Sequence, residues 1–292
     1  MKKSKLMSGR WALKGGKIYD PYKDKFLKGD ILVNNGKIEK IGDIKDKDIK
    51  SIDCSGKIIT SAFTDIRSHF RQPGPDYVES LESGVDAAMA GGYTTVCLMS
   101  DKDSPLDSPE MIRNIMQSAS KINLLPIGSA SVKHEGNELC EYGSMVDEGA
   151  VAFSDTLSSI SNTQFLRYAL DYSDMYNVPL ISFSKDSSLS DGGVVNEGPI
   201  STKLGLKGVP NASESTMVFR NLTIADLAGK RIHIPVLSAT ESIDIIKDFQ
   251  KKGLGVTVDV SPHHIFFNES KISGYDSNAK VYPPLRSEED RV

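Results

Sequence analysis

Beyond Lys57, short apolar runs rich in β-branched residues alternate with stretches whose apolar residues recur at helical spacing. The strand-like runs lie at residues 93–99, 124–129, 151–153, 178–183, 232–237 and 256–260. The helical patterns between them lie at residues 77–90, 109–120, 162–176, 213–228 and 242–252. Strands that alternate with helices form parallel sheets through βα crossovers. With the strand-like run just before His69 counted, about seven such units are present, which favours a β/α barrel over an open sheet.

The first 56 residues have a different pattern, in which short β-like runs are broken by turn signals. Residues 30–33 and 37–41 flank the sequence Asn34-Asn35-Gly36, and the second run alternates with period two. An Asn-Gly pair between two such runs is typical of a β-hairpin. The sequence therefore predicts a small β domain at residues 1–56 and a β/α barrel at residues 57–292.

Composition excludes several classes of function. The net charge of −4, without a basic stripe interleaved with aromatic residues, argues against a nucleic-acid partner. No stretch reaches the roughly 18 apolar residues of a membrane span, and the basic N-terminus is not followed by the apolar run of a signal peptide. The three cysteines, Cys54, Cys97 and Cys140, are sparse and lack a CxxC pattern. We therefore expect apolar fillers in a cytoplasmic protein.

The most specific motif is SAFTDIRSHFRQPG at residues 61–74. Dihydroorotases and their relatives carry Asp-x-His-x-His-x-Arg-x-Pro-Gly at the end of a barrel strand, and Asp65, His69, Arg71 and Pro73-Gly74 fit it. Four further segments fit the same family in the same order: residues 90–96, 99–110, 152–155 and 260–264, the last with 283–291 behind it. The chain therefore resembles the dihydroorotase-like proteins of the amidohydrolase superfamily over nearly its whole length.

The resemblance implies a TIM-type barrel flanked by a small composite β-sandwich, to which residues 1–56 would contribute. The family continues beyond the motif at residues 283–291 into an eighth strand, so the resemblance implies either a barrel that lacks its last unit or a fragment of a longer protein. The family reaction is the reversible ring opening of dihydroorotate to carbamoyl aspartate. It uses zinc at the C-terminal mouth of the barrel, where the metal lowers the pKa of a bound water.

Compared with the family pattern, most zinc-ligand positions hold residues that cannot bind a metal. Arg67 stands where the first histidine of His-x-His belongs, and its guanidinium has no lone pair to donate. An ungapped alignment places Thr156 at the bridging ligand, and it places Phe183 and Val236 at the two later histidines. The catalytic aspartate of the family would follow residue 292. The resemblance therefore implies a lost metal site.

His69 and Asp155 remain as vestiges of that site. One imidazole and one carboxylate beside an arginine are too few donors for a catalytic zinc ion. We expect Arg67 to pair with Asp155, so that its fixed positive charge stands in for the ion.

Residues at the family's substrate-binding positions are also changed. Arg71 matches the arginine that clamps the substrate carboxylate, but Asp101 and Tyr282 stand where the family has asparagines. Asp101 would repel that carboxylate. Arg71 either still binds a ligand or has become a structural partner of Asp65 or Asp101, and the sequence leaves both alternatives open.

The other histidines and serines are given structural interpretations. His263 and His264 are adjacent on a predicted strand and would point to opposite faces, which argues against a metal pair. His134 is expected to be a solvated residue of a polar loop. Ser129 and Ser154 lie in no recognisable nucleophile motif with a paired base.

These observations predict a catalytically inactive dihydroorotase homologue that needs no metal cofactor and has a structural role in pyrimidine biosynthesis. By family analogy we expect an oligomeric assembly that supports aspartate transcarbamoylase. The alternative is an active zinc-dependent dihydroorotase, or a related cyclic amidohydrolase, with a rearranged site. A third possibility is a binding protein that retains a small carboxylated ligand on Arg71 without turnover.

Overall fold

The computed structural model describes residues 9–46, 48–75, 77–118 and 120–291. The start of the basic N-terminal segment, residues 1–8, and the final Val292 lie outside the described residues. The described residues form two compact units. The small β unit comprises the chain up to Thr64 together with Ala90–Thr94, and the barrel unit comprises Asp65–Met89 and the chain from Thr95 onward.

The small β unit contains two sheets with a common core. Its strands are β1 (Arg10–Lys14), β2 (Lys17–Asp20), β3 (Lys25–Leu27), β4 (Asp30–Asn34), β5 (Lys37–Gly42), β6 (Ser51–Asp53) and β7 (Ile58–Ile59). One sheet has the order β5-β4-β1-β6 and the other β3-β2-β7. Ile18 of β2 packs against Ile31 and Val33 of β4, which is the arrangement of a small β-sandwich. The unit extends past the predicted boundary at residue 56 because β7 pairs with β2.

The hairpin predicted from Asn34-Asn35-Gly36 is confirmed. β4 and β5 pair antiparallel, with Asn34 opposite Lys37. Asn35 and Gly36 both have left-handed φ angles, of 49° and 79°. Two consecutive left-handed residues make the type I′ turn, whose twist matches that of the flanking strands.

The parallel sheet of the barrel unit confirms the predicted fold class. Its strands are β8 (Phe63–Ser68), β9 (Tyr93–Leu98), β10 (Asn123–Gly128), β11 (Ala152–Ser154), β12 (Leu180–Ile181), β15 (Ile232–Ile234) and β16 (Val256–Val258). Within the described residues the sheet has seven strands in the order β16-β15-β12-β11-β10-β9-β8. The short strands β13 (Val195–Asn196) and β14 (Gly208–Val209) pair with each other outside this sheet.

The larger sheet is strongly curved. β8 and β16 are its two edge strands, yet Arg67 of β8 and Asp259, directly after β16, are in contact, with Nη2 3.3 Å from Oδ1. A flat sheet with this strand order would hold these edges several strand spacings apart, and neighbouring strands lie about 4.8 Å apart. The sheet therefore curls as a β/α barrel requires.

Helices alternate with the strands of the barrel unit. They are α1 (Leu81–Ala90), α2 (Pro109–Gln117), α3 (Tyr142–Asp147), α4 (Thr163–Met175), α5 (Pro199–Leu204), α6 (Ala212–Ala228), α7 (Thr240–Lys251), α8 (Pro262–Phe266) and α9 (Glu288–Arg291). The five helical patterns correspond to α1, α2, α4, α6 and α7. The other helices have six residues or fewer, too few to show a helical period. No helix in the described parts of the chain combines the length and apolar character needed to cross a membrane.

The core of the barrel unit includes a stack of three aromatic rings. Tyr142 of α3 lies 3.8 Å from Phe153 of β11 and 4.7 Å from Tyr172 of α4, measured between ring centroids. Tyr142 and Phe153 are fully buried. The Tyr142 hydroxyl donates a hydrogen bond of 2.9 Å to the carbonyl oxygen of Ala130, so its burial leaves no unsatisfied donor.

We expect the substitution Phe153→Ala to lower the free energy of unfolding by about 3–5 kcal/mol, because it leaves a cavity in this stack. Urea unfolding followed by circular dichroism measures the change. The matched control is Phe266→Ala, since Phe266 is 74% exposed and its loss should change stability by less than about 0.5 kcal/mol. Equal changes in the two variants would contradict this assignment of the core.

Candidate functional site

The candidate residues are brought together because they lie at or just beyond the C-terminal ends of parallel strands. β8 leads to His69 and Arg71, and β9 leads to Asp101. Asp155 and Thr156 follow β11, and Phe183 follows β12, while Val236 follows β15. In a β/α barrel these ends form one face, where functional residues collect. The sequence predicted this grouping through the strand pattern.

Arg67 pairs with Asp259, and the predicted pair between Arg67 and Asp155 is wrong. Arg67 Nη2 donates to Asp259 Oδ1 at 3.3 Å. Asp259 Oδ2 lies 3.0 Å from His233 Nε2, and its Oδ1 also accepts a hydrogen bond of 2.9 Å from the backbone nitrogen of Val236. One carboxylate thus ties β8, β15 and the end of β16 together.

The surroundings of Asp259 keep this carboxylate ionised. Burial raises its pKa, but the hydrogen bond from His233, the charge of Arg67 and the backbone hydrogen bond from Val236 outweigh burial and hold the pKa at about 2. An ionised carboxylate only accepts hydrogen bonds, so His233 Nε2 carries the proton that points at Asp259. His233 Nδ1 lies 2.8 Å from the Thr257 hydroxyl, which completes the orientation of the ring.

Asp155 makes its hydrogen bonds with Ser131. It accepts hydrogen bonds from the backbone nitrogen of Ser131 at 2.8 Å and from the Ser131 hydroxyl at 2.5 Å. It is 3% exposed, and burial raises its pKa above the ordinary value. The neighbouring Thr156 donates to the carbonyl oxygen of Ser100 at 3.2 Å. Both side chains therefore hold loops in place.

Phe183 and Val236 fill the space at two of the ligand positions. They are 3% and 4% exposed. The Phe183 ring centroid lies 5.9 Å from that of Tyr282, in a tilted contact. Val236 has a left-handed φ of 50°, which is a strained conformation for a β-branched residue. The hydrogen bond from its backbone nitrogen to Asp259 helps to hold that conformation.

His69 has no side-chain hydrogen bond of good geometry among the described residues. Its two ring nitrogens are buried there without a partner. Burial, together with the positive charges of Arg71 and Arg67, lowers its pKa to about 4, so the imidazole is neutral at pH 7. A neutral imidazole can ligate a metal, but the side chains at the neighbouring ligand positions are a guanidinium, a threonine already hydrogen bonded, a phenyl ring and an isopropyl group.

The residues present do not fit a zinc ion. Within residues 9–46, 48–75, 77–118 and 120–291, no group of three His, Cys, Asp or Glu side chains is arranged to hold a metal. A zinc site needs donors converging at about 2.0–2.2 Å. Arg67 instead brings a fixed positive charge to this place, which repels a dication.

Arg71 pairs with Asp101, one of the two structural partners considered for it. Arg71 Nη1 lies 2.7 Å from Asp101 Oδ2. Burial raises the pKa of Asp101, but the hydrogen bond from Arg71, the backbone hydrogen bond from Asp103 and the charge of Arg71 together outweigh burial, and the pKa lies below its usual value. The other considered partner, Asp65, accepts a hydrogen bond from the backbone nitrogen of Arg67. Tyr282 lies under the ammonium of Lys185, 4.6 Å from the ring centroid.

The prediction that His134 is solvated was wrong, and the strand predicted at His263 and His264 is a helix. His134 is 8% exposed, and its Nε2 lies 2.8 Å from the Ser100 hydroxyl and 2.9 Å from that of Ser129. The polar sequence around it did not reveal that the loop folds inward. His264 lies on helix α8, where Pro262 occupies the first turn. Its Nδ1 contacts the Ser261 hydroxyl and its Nε2 the carbonyl oxygen of Pro283, which is a structural role.

Asp259 was not singled out from the sequence, although its signal was present. It interrupts the β-branched run at residues 256–260 with a charge. A carboxylate at the end of a predicted barrel strand is a candidate for the functional face. No local pattern distinguishes Asp155 from Asp259 as the partner of Arg67.

We expect Asp259→Asn to lower the free energy of unfolding by about 3 kcal/mol at pH 7, because it leaves Arg67 buried and unpaired. The pKa of Asp259 is depressed from 3.8 to about 2, so its ionisation stabilises the fold above pH 4. About 2 kcal/mol is lost as the pH falls through 2. Urea unfolding of both proteins between pH 7 and pH 2 measures the difference.

The control for this prediction is Asp244→Asn. Asp244 is 71% exposed and pairs with Lys247 one helical turn away, so its loss should change stability by less than about 0.5 kcal/mol. A wild-type protein and an Asp259→Asn variant with equal stability at pH 7 would contradict the central role of this ion pair.

Comparisons with known proteins agree with the geometry. Residues 56–242 match the model of the family described as "Dihydro-orotase-like". The chain is 40% identical to the dihydroorotase of Caldicellulosiruptor saccharolyticus over 95% of its length, and 37% identical to that of Pelotomaculum thermopropionicum over 95%. It spans about two thirds, 66%, of the length of either relative.

Solved structures of hydantoinases share the fold. An L-hydantoinase (dihydropyrimidinase) from Arthrobacter aurescens superposes with a TM-score of 0.78 at 18% identity, covering 96% of this chain and 64% of the other. A D-hydantoinase superposes with a TM-score of 0.76 at 19% identity, covering 97% and 64%. At these identities the likeness to the hydantoinases shows the fold alone. The family match and the dihydroorotase relatives also show the family. The chain belongs to the dihydroorotase-like family.

Proposed function

We propose that this chain is a dihydroorotase homologue that does not hydrolyse its family's substrate and acts instead in the assembly of a pyrimidine-biosynthetic complex. The observation that carries the first part is the ion pair of Arg67 with Asp259. The family pattern has a zinc-binding histidine at this position. Here a cation with no lone pair stands in its place and is held by a carboxylate of its own.

A small rearrangement would not free this place for a zinc ion, because the pair of Arg67 and Asp259 is costly to separate. Arg67 and Asp259 are mostly buried, with side chains 18% and 14% exposed. Separating a buried pair leaves an uncompensated charge and costs about 3–5 kcal/mol. A zinc ion near His69 would have to overcome that cost and find ligands in place of Phe183 and Val236.

The alternative is a zinc-dependent cyclic amidohydrolase, and the names of the relatives support it. Proteins 35–40% identical to this chain over most of its length are called dihydroorotases. This alternative requires close to stoichiometric metal in the purified protein. It also requires Arg67 to leave Asp259, because the guanidinium repels a dication at its present place.

Metal content and hydrolysis distinguish the two functions. We expect the purified protein to hold far less than one equivalent of zinc by mass spectrometry and to leave dihydroorotate unhydrolysed. The triple variant Arg67→His/Phe183→His/Val236→His returns three imidazoles to the strand ends and should raise the zinc content toward about one equivalent. A wild-type protein with one tightly bound zinc and hydrolytic activity would establish the alternative.

The matched control for the triple variant is Arg113→His/Phe219→His/Leu227→His. Phe219 and Leu227 of α6 are 56% and 66% exposed, and Arg113 pairs with Glu148 at the surface. This variant adds the same three imidazoles on helices, away from the strand ends. If the control variant takes up as much zinc as the first variant, added histidines bind metal wherever they stand. Only the hydrolysis of dihydroorotate would then distinguish the two functions.

The assembly role is supported by an exposed apolar surface near the end of the described chain. Val258, Val260, Ile265, Phe266 and Phe267 are 41–74% exposed. Several of them line a groove of about 440 Å³ with residues of α7. Apolar surface of this kind is typical of protein–protein contact sites. By family analogy we take aspartate transcarbamoylase as the partner.

Gel filtration of the chain mixed with aspartate transcarbamoylase at micromolar concentration tests this role. We expect one co-eluting species, and we expect Phe266→Glu to weaken the association by placing a charge in an apolar contact. Phe26→Glu is the control, since Phe26 is 56% exposed in the small β unit. Two independently eluting species in the wild-type mixture would rule out the partner.

A further inference from the structure

A cavity of about 390 Å³ opens at the C-terminal ends of β8, β9, β11 and β12. Among the described residues it is lined by three cationic side chains, Arg71, Lys102 and Lys185, and by one carboxylate, that of Asp101. The hydroxyl-bearing residues Thr156, Ser158, Ser159 and Ser187 complete most of the lining. Its volume lies within the range of about 300–1,000 Å³ that is typical of small-molecule sites.

The charges in this cavity do not cancel. Arg71 and Asp101 neutralise each other through their contact of 2.7 Å. Among the described residues, neither Lys102 nor Lys185 has a carboxylate oxygen within 4.0 Å of its ammonium. Two uncompensated positive charges therefore line one cavity. Such charges repel each other, and an anion between them would relieve the repulsion.

Lys185 is held in place from two sides. Its backbone nitrogen donates to the Ser159 hydroxyl at 2.8 Å, and that hydroxyl donates to the carbonyl oxygen of Phe183 at 2.9 Å. Its ammonium lies 4.6 Å from the centroid of the Tyr282 ring, a cation–π contact. The side chain is therefore positioned before any ligand arrives, which reduces the entropy lost on binding.

His69 supplies an independent sign of a polar occupant. It lines the same cavity, and within the described part of the chain its two buried ring nitrogens have no hydrogen-bond partner. An imidazole carries at least one N–H donor in either protonation state, and buried donors in folded proteins are normally satisfied. An anionic oxygen in the cavity would provide the missing acceptor.

We propose that this cavity binds the phosphate group of a small phosphorylated molecule through Lys102 and Lys185. The guanidinium fork that suits carboxylates is already used by Asp101, whereas lysine ammoniums are point charges suited to phosphate. A phosphate monoester carries about −1.5 to −2 charges at pH 7, which matches the two free cations. The inference goes beyond the proposed function, because it requires neither loss of hydrolysis nor a protein partner.

Isothermal titration of the metal-stripped protein with inorganic phosphate at low ionic strength tests the proposal. We expect saturable binding, with the affinity about tenfold lower in each of Lys102→Gln and Lys185→Gln, since each removes one charged hydrogen bond. Lys203→Gln is the matched control, because Lys203 is an exposed residue of α5 outside the cavity, and it should bind phosphate like the wild type. Thermal unfolding without ligand checks that all variants are folded.

The other outcomes overturn the proposal. It is wrong if phosphate gives no saturable heat, or if the control loses as much affinity as the two cavity variants, which would indicate only general charge attraction. Succinate carries two negative charges on carboxylates and serves as the second probe. If succinate binds more tightly than phosphate, the site selects carboxylates and the phosphate assignment fails. None of these readings depends on the metal content, so this proposal and the proposed function can fail separately.

Discussion

The ion pair between Arg67 and Asp259 is the interaction on which the rest of the barrel unit depends. It connects the two edge strands of the curled sheet, and the same carboxylate holds His233 and the strained backbone of Val236. A protein interior tolerates a guanidinium only when it is paired and hydrogen bonded. Asp259 therefore makes a mostly buried arginine on β8 compatible with a folded barrel.

Two apolar side chains, Phe183 and Val236, occupy buried space at the ends of the neighbouring strands β12 and β15, as close packing requires. Val236 has a left-handed φ of 50°, which a β-branched residue adopts only when its surroundings impose it. The hydrogen bond from its backbone nitrogen to Asp259 is part of those surroundings. In the cavity at the C-terminal ends of the strands, Lys102 and Lys185 carry the positive charges that no carboxylate of the described residues neutralises.

The strand and helix order could be predicted because periodicity and β-branched runs are local signals. The Asn35-Gly36 hairpin was predictable for the same reason, since it needs only left-handed turn residues. The partner of Arg67 could not be predicted, because Asp259 is 192 residues away and other carboxylates, those of Asp101 and Asp155, also follow barrel strands. His134 was misjudged because its burial depends on how a loop folds back onto the strand ends, which no short pattern records.

Crystals of the protein grown with zinc, with diffraction collected on both sides of the zinc absorption edge, would show whether a metal ion or the ion pair occupies the strand ends. We expect Arg67 bound to Asp259 and no anomalous peak beside His69. An anomalous peak within about 2.2 Å of a His69 ring nitrogen, with the Arg67 guanidinium turned away from Asp259, would contradict it.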